Sequence, residues 1–437
     1  MSIPTPPTLP SRADARTNAS SQSASPTLAD VFRRYGDAYL ATHSTTAHQR
    51  DVMEAIRQCR TFARGYHLDY CPDCGHTEIR PNSCGNRHCP TCQAKDRVEW
   101  VEARMQELLP VSYFHVVFTL PDTIYPFCLF NQRVVYDLLF HSAAETLKTF
   151  GRDPEWLGAE HMGFFGVLHT WGQTLSCHPH VHFVVPAGGV DANGEWVWPT
   201  YTKQHFLFPV HALAKVYRGK FIAGLKKAFG NGELEFPGEL EALNSSEAFE
   251  AWLDEMVSKN WVVYAKAPFS GPAQVVRYVS RYTHRVAISN QRILSIEDGV
   301  IRFTFKNYKN QETGDDAKAM WEEMELPANE FIRRFLHHVL PSGYHRIRYY
   351  GFLSGSQKQR LQDIWAELVF EEEQVPPEIE VTPWPGIPCP QCPSGIMEVL
   401  LIVNGRGQVL YATSQPERRA VVEWDRLGVD GWEWDTS

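Results

Sequence analysis

The sequence predicts an α+β protein of more than one domain, and three observations carry that prediction. At 437 residues the chain is too long for one ordinary domain, and its 43% hydrophobic content is enough for a real core. Two stretches, YFHVVFTLP from Tyr113 and CHPHVHFVV from Cys177, alternate as half-buried strands do. Helical patterns flank a dense group of cysteines: residues 30–65 read as two helices, and QAKDRVEWVEARMQELLP, ending at Pro110, reads as a third.

Residues 1–27 are dominated by Ser, Thr, Pro and Ala and predict a disordered leader without the apolar centre of a secretion signal. No run approaches the roughly eighteen apolar residues of a membrane span, so a soluble cytoplasmic protein is expected. The net charge of -9 is unevenly spread. Residues 361–437 hold 4 basic and 14 acidic side chains, a balance of -10, which leaves +1 for the rest. Residues 271–360 hold 14 basic against 9 acidic residues, so a phosphate-facing surface is expected there. Glycine-rich phosphate loops and internal repeats are absent from the sequence.

Six of the ten cysteines fall in Cys-x2-Cys pairs. In a chain without a signal peptide such spacing favours reduced metal thiolates over disulfides. Cys71, Cys74, Cys89 and Cys92 form two knuckles that can bring four sulfurs around one structural zinc, with Cys84, His76 and His88 as spare donors. A further pair, Cys389 and Cys392, has no evident partners and reads as a half site.

His178, His180 and His182 alternate along the second strand and should share one face. Imidazoles so placed can hold a divalent ion from one side and leave positions open, the pattern of a catalytic site. His169 or Gln173, from the preceding FFGVLHTWGQTL, are candidates for a third ligand, with His178 as the other choice. Further along, Pro272 suits the first turn of a helix carrying Tyr278 and Tyr282 on one face, beside Arg277, Arg281 and Arg285. Guanidinium groups beside two phenols suit a phosphate backbone. The four-residue tyrosine spacing alone is weak, because Tyr35 with Tyr39 and Tyr66 with Tyr70 repeat it.

With SCGNRHCPTCQ, YFHVVFTLP, HTWGQ, HPHVHFVV, VYRGKF, WVVYAKAPF, RYVSRYTHRVAISN and FIRRFLHHVLPSGYHRIRYYGFL in this order over roughly residues 45–355, the chain resembles rolling-circle transposases of the insertion sequence 91 family. Their catalytic domain is an HUH endonuclease, named for two histidines around a bulky apolar residue. The resemblance places the histidine pair on His180 and His182 and the tyrosine pair on Tyr278 and Tyr282. It implies an antiparallel sheet flanked by helices over residues 110–355, with an insertion at about 190–265. A helical zinc-binding module over 28–109 would precede it, and an acidic tail over 356–437 would follow.

The implied activity is nicking and rejoining of single-stranded DNA through a phosphotyrosine, with magnesium or manganese at the histidines and zinc in the N-terminal module. Single-stranded and duplex DNA of the element ends and target are the expected partners, with Arg333 and Arg334 on the basic side, and a second copy of the chain is a further candidate. The expected location is the bacterial nucleoid. A replication initiator or relaxase would share the chemistry, whereas a non-catalytic zinc-finger protein would dispense with both tyrosines.

Overall fold

The computed structural model describes residues 25–93, 107–199, 207–266, 286–307, 320–372 and 386–414. In chain order the helices are α1 (Leu28–Thr42), α2 (Ala47–Arg57), α3 (Tyr125–Phe130), α4 (Gln132–Arg152), α5 (Val210–Gly230), α6 (Ser246–Ser258), α7 (Ala328–His337) and α8 (Lys358–Glu372). The strands are β1 (Gly65–Tyr70), β2 (Thr77–Pro81), β3 (Tyr113–Thr119), β4 (Phe164–Trp171), β5 (Cys177–Pro186), β6 (Gly189–Val190), β7 (Trp196–Val197), β8 (Val263–Lys266), β9 (Ile293–Glu297), β10 (Val300–Asn307), β11 (Met320–Pro327), β12 (Ile347–Tyr350), β13 (Ile387–Pro388), β14 (Ile396–Asn404) and β15 (Val409–Ala412). No helix among the described residues is long and apolar enough to cross a membrane.

The largest core is built on an antiparallel sheet of order β12-β4-β5-β3-β8. Period-two alternation divides its two faces. Phe114, Val116, Phe118, Leu168, Val181, Phe183 and Val185 enter one apolar core with residues of α4, α5 and α6. The opposite face is apolar only at one end, where Tyr113, Phe165, Val167 and Val184 pack under Phe352, Ile364 and Leu368. The other end of that face carries histidines. Gly166 lies directly opposite Phe183, and a β-carbon there would sit 2.6 Å from the Phe183 ring. Only glycine lets that ring lie across the neighbouring strand.

The stretch expected as an insertion, 190–265, supplies α5 and α6, whose Tyr217, Phe221, Phe249 and Met256 complete this core. It is therefore part of the domain's frame rather than an appendage. Helices α1 and α2 start at reciprocal capping boxes: Thr27 with Asp30, and Thr46 with Gln49. They pack on α7 and on the sheet β11-β10-β9, with the Phe32 and Phe335 rings edge to face at 5.5 Å.

The largest departure from expectation concerns the C-terminal segment. Helix α8 covers the apolar end of the five-stranded sheet β12-β4-β5-β3-β8, and β14 pairs antiparallel with β1 in a sheet of order β13-β14-β1-β2, with β15 on β14. A two-stranded hairpin is marginal alone, and Leu400, Leu401 and Val403 of β14 provide the apolar partner that Leu68 needs. Residues 358–372 and 386–414 are thus structural parts of the fold rather than a tail.

Phe183 is fully buried and meets the Phe118, Phe140 and Phe164 rings edge to face at 5.5–6.4 Å. Truncation of Phe183 to Ala is expected to cost about 3–5 kcal/mol of unfolding free energy, read from urea midpoints.

Candidate active site and metal centres

The register of β4 on β5 sets His169 directly opposite His180, and His182 follows on the same face. One ligand nitrogen from each of the three lies within 4.8 Å of the others, and ring centroids are 4.6–5.3 Å apart. His169 and His182 are buried and His180 is partly exposed, so the group is open on one side. His180 Nδ1 lies 2.7 Å from the His178 carbonyl oxygen. A carbonyl can only accept, so Nδ1 carries the proton and Nε2 keeps its lone pair. His182 Nδ1 lies 2.8 Å from Nε2 of buried His115, whose ring stacks parallel to it. Donation from His182 Nδ1 to His115 would orient the His182 Nε2 lone pair in the same way. The set fits a divalent ion held on one side by three imidazoles.

His178 is on the same strand face but is held by the Tyr125 hydroxyl at 2.6 Å, and burial lowers its pKa. Of the candidates for third ligand, His169 is the one the fold brings to the pair. Gln173 lies in the β4–β5 turn, where its carbonyl accepts from Arg292 and its buried Oε1 has no hydrogen-bond partner among the described residues. His115 was not foreseen. A histidine within an otherwise apolar strand was the available signal.

The cysteines correct the expected ligand set. Cys71 and Cys74 do not share a site with Cys89 and Cys92. One cluster joins Cys59, Cys84, Cys89 and Cys92, and another joins Cys71, Cys74, Cys389 and Cys392. In the first, Sγ separations of 3.5–3.7 Å sit close to the edge of about 3.8 Å in a tetrahedron with zinc–sulfur bonds of about 2.3 Å. Cys59 follows α2 as a lone cysteine without knuckle spacing, so sequence offered no cue to it. It arrives because α2 packs against the 84–92 loop in one core. His88 is buried outside both clusters, and its pKa is lowered by burial.

Residues 31–120 match a family model described as "Transposase zinc-binding domain", and residues 163–360 match one described as "Putative transposase". The chain is 48% identical over 393 residues to "Putative transposase y4qJ" of Sinorhizobium fredii, covering 87% of this chain and 96% of that protein. The chain belongs to the insertion sequence 91 family of transposases. It is also 28% identical over 282 residues to the transposase for insertion sequence element IS801 of Pseudomonas savastanoi pv. phaseolicola, 64% of either chain. Among solved structures, the metal-bound conjugative relaxase TrwC in complex with oriT DNA aligns with 40% of this chain and 71% of its own, at 11% identity and a TM-score of 0.23. The Cys59 cluster lies wholly inside the matched zinc-binding domain of this transposase.

Tyr278, Tyr282, Arg277, Arg281 and Arg285 lie outside the described residues. The chain on either side of that stretch is described. Lys266, the last residue of β8, pairs with His115. Val286 and Ala287 line a recess with Trp171, His338, Arg87 and Arg346, and the Trp171 ring stacks on His169 at 4.8 Å. His338 accepts at Nδ1 from Thr170 and donates from Nε2 to the Leu175 carbonyl, the pattern of a neutral ring, and burial pushes its pKa down to about 4.

Arg333 and Arg334 are both committed to Glu330, through bonds of 2.6–2.8 Å from Arg333 and 2.6 Å from Arg334. Their hydrogen bonds, with Arg333 the larger influence, outweigh desolvation and draw the Glu330 pKa down to about 2. A carboxylate depressed in the folded state stabilises above its unfolded pKa of about 4.3 and loses that contribution as pH falls through the folded value. The stability advantage of wild type over Glu330→Gln should therefore be constant above roughly pH 5 and shrink towards pH 2, as followed by thermal melts. Substituting His115 by Ala should weaken manganese binding by about 10–100-fold, measured by calorimetric titration, with the fold retained by circular dichroism.

Proposed function

We propose that this transposase cuts and rejoins single-stranded DNA at the ends of its element by tyrosine attack, forming a 5′-phosphotyrosine and driving rolling-circle transposition. The observation that carries the proposal is the convergence of His169, His180 and His182 on one open sheet face, with His115 orienting His182. Support for Tyr278 and Tyr282 as nucleophiles comes from their chain neighbours: β8 ends opposite His115, and Val286 lines the recess beside Trp171. A magnesium or manganese ion held by the three imidazoles would polarise the scissile phosphate, and imidazole ligation favours manganese in vitro.

The rest of the chemistry belongs to the chain. The Oη of Tyr278 or Tyr282 forms a bond to phosphorus as the bond from phosphorus to O3′ breaks. The phenol gives up its proton and O3′ takes one, leaving a 3′ hydroxyl. The phosphodiester energy is retained in the phosphotyrosine, so rejoining needs no nucleotide cofactor. A phenol titrates near 10 and is a poor nucleophile at neutral pH, which is why attack must occur in an electropositive setting. His169, His180 and His182 are neutral donors, so they would leave an ion's charge uncompensated and favour an anionic phosphodiester. Arg277, Arg281 and Arg285 follow the backbone of the strand being cut. Arg333 and Arg334 contribute to the same basic side with charge already shared with Glu330. The expected setting is the bacterial cytoplasm at the nucleoid, with a homodimer as the working state on paired element ends.

The test is a denaturing gel of the purified protein incubated with manganese and end-labelled single strands from the element ends. A metal-dependent covalent adduct is expected, weakened by Tyr278→Phe or Tyr282→Phe and abolished in the double variant. Wild-type protein that binds these strands without forming an adduct would overturn the mechanism in favour of a non-catalytic DNA-binding role.

A further inference from the structure

We infer that Cys71, Cys74, Cys389 and Cys392 hold a second zinc ion, separate from the one at Cys59, Cys84, Cys89 and Cys92, and that this ion staples two distant segments of the chain into one small sheet module. The inference is independent of the tyrosine mechanism. Cys389 and Cys392 lie outside both stretches matched by transposase family models.

The geometry is that of a built site. Four Sγ atoms lie within 4.8 Å of one another, with Cys71 to Cys392 and Cys74 to Cys389 each at 3.6 Å. These separations are close to the tetrahedral edge of about 3.8 Å expected around zinc. All ten cysteines of the chain are free, so the sulfurs are not joined in disulfides. Thiols are weak donors and weak acceptors, and four of them meeting at one point gain little from each other. A cation gives that convergence its physical reason.

The backbone on both sides is shaped for it. The first knuckle turns at Gly75, with φ at +75° and its N–H donating to the Cys71 carbonyl at 2.9 Å. In the second, the Gln391 N–H points at Cys389 Sγ at 3.4 Å, a bond that favours a thiolate, and the Cys389 N–H donates to the Gly395 carbonyl at 2.7 Å. A β-carbon at Gly395 would lie 2.4 Å from Cys71 Sγ and 2.6 Å from Cys392 Sγ. Glycine is what allows the second knuckle to close over the first.

The site also meets a structural need. The sheet β13-β14-β1-β2 joins segments more than 300 positions apart, and its buried apolar cluster consists of Leu68, Leu400, Leu401 and Val403. So small a core calls for a staple. With four sulfurs the ion would have no open position, so its role is structural.

The experiment is a zinc count by plasma mass spectrometry on the full-length chain carrying His180→Ala and His182→Ala, so that only the cysteine sites register. Two zinc ions per chain are expected, with one in the Cys389→Ser/Cys392→Ser variant and one in Cys84→Ser/Cys92→Ser. A single zinc in the parent, or two retained after loss of Cys389 and Cys392, would overturn the inference. Should the serine variants fail to fold, cobalt exchange into the parent decides the matter. Thiolate-to-cobalt absorption saturating at two equivalents supports two sulfur sites, and saturation at one overturns the second.

Discussion

The pairing of β5 on both of its edges is the constraint on which the rest of the structure depends. Hydrogen-bonded to β4 on one side and β3 on the other, this strand cannot slip by one residue without exchanging its faces. Val181, Phe183 and Val185 would leave the main core and the histidines would enter it. Burial of the odd-numbered residues therefore holds the even-numbered imidazoles outward, and the same ladder sets His169 against His180. The convergence of the imidazoles is a by-product of apolar packing on the opposite face.

The electrostatic character of the site follows from burial. Burial lowers the pKa of the neighbouring His178, and it lowers that of His338 to about 4. Around them the arginines are positioned by protein acceptors: Arg87 donates to the Pro341 and Tyr344 carbonyls, and Arg346 to Gln93. Each keeps its charge while its geometry is fixed.

The N-terminal module shows how sulfur clusters organise chain topology. Cys59, Cys89 and Cys92 are buried within the core shared by α1, α2, α7 and the β9–β10 hairpin, so that cluster anchors the module to residues near 300. The other cluster lies where β1 and β2 meet the returning C-terminal strands. Together they join residues 59–92 of the transposase to two parts of the chain far from them in sequence.

The sequence by itself determined what is periodic or local: the alternation of β3 and β5, the two N-terminal helices, the Cys-x2-Cys knuckles, the family, and the histidine row. These were legible because strand and helix periods are written in adjacent residues. The tertiary structure alone decided the partners. The four cysteines expected at one site were divided between two, because Cys59 and the Cys389 pair arrive through packing of distant segments and no local spacing encodes it. His115 joined His182 from another strand for the same reason. Residues 386–414 depart from the expected tail because net charge describes a surface, whereas the buried Met397, Leu400, Leu401 and Val403 of β14 form a strand only once β1 offers an edge to pair with. Side-chain chemistry can be read from a segment, but coordination requires knowing which segments meet.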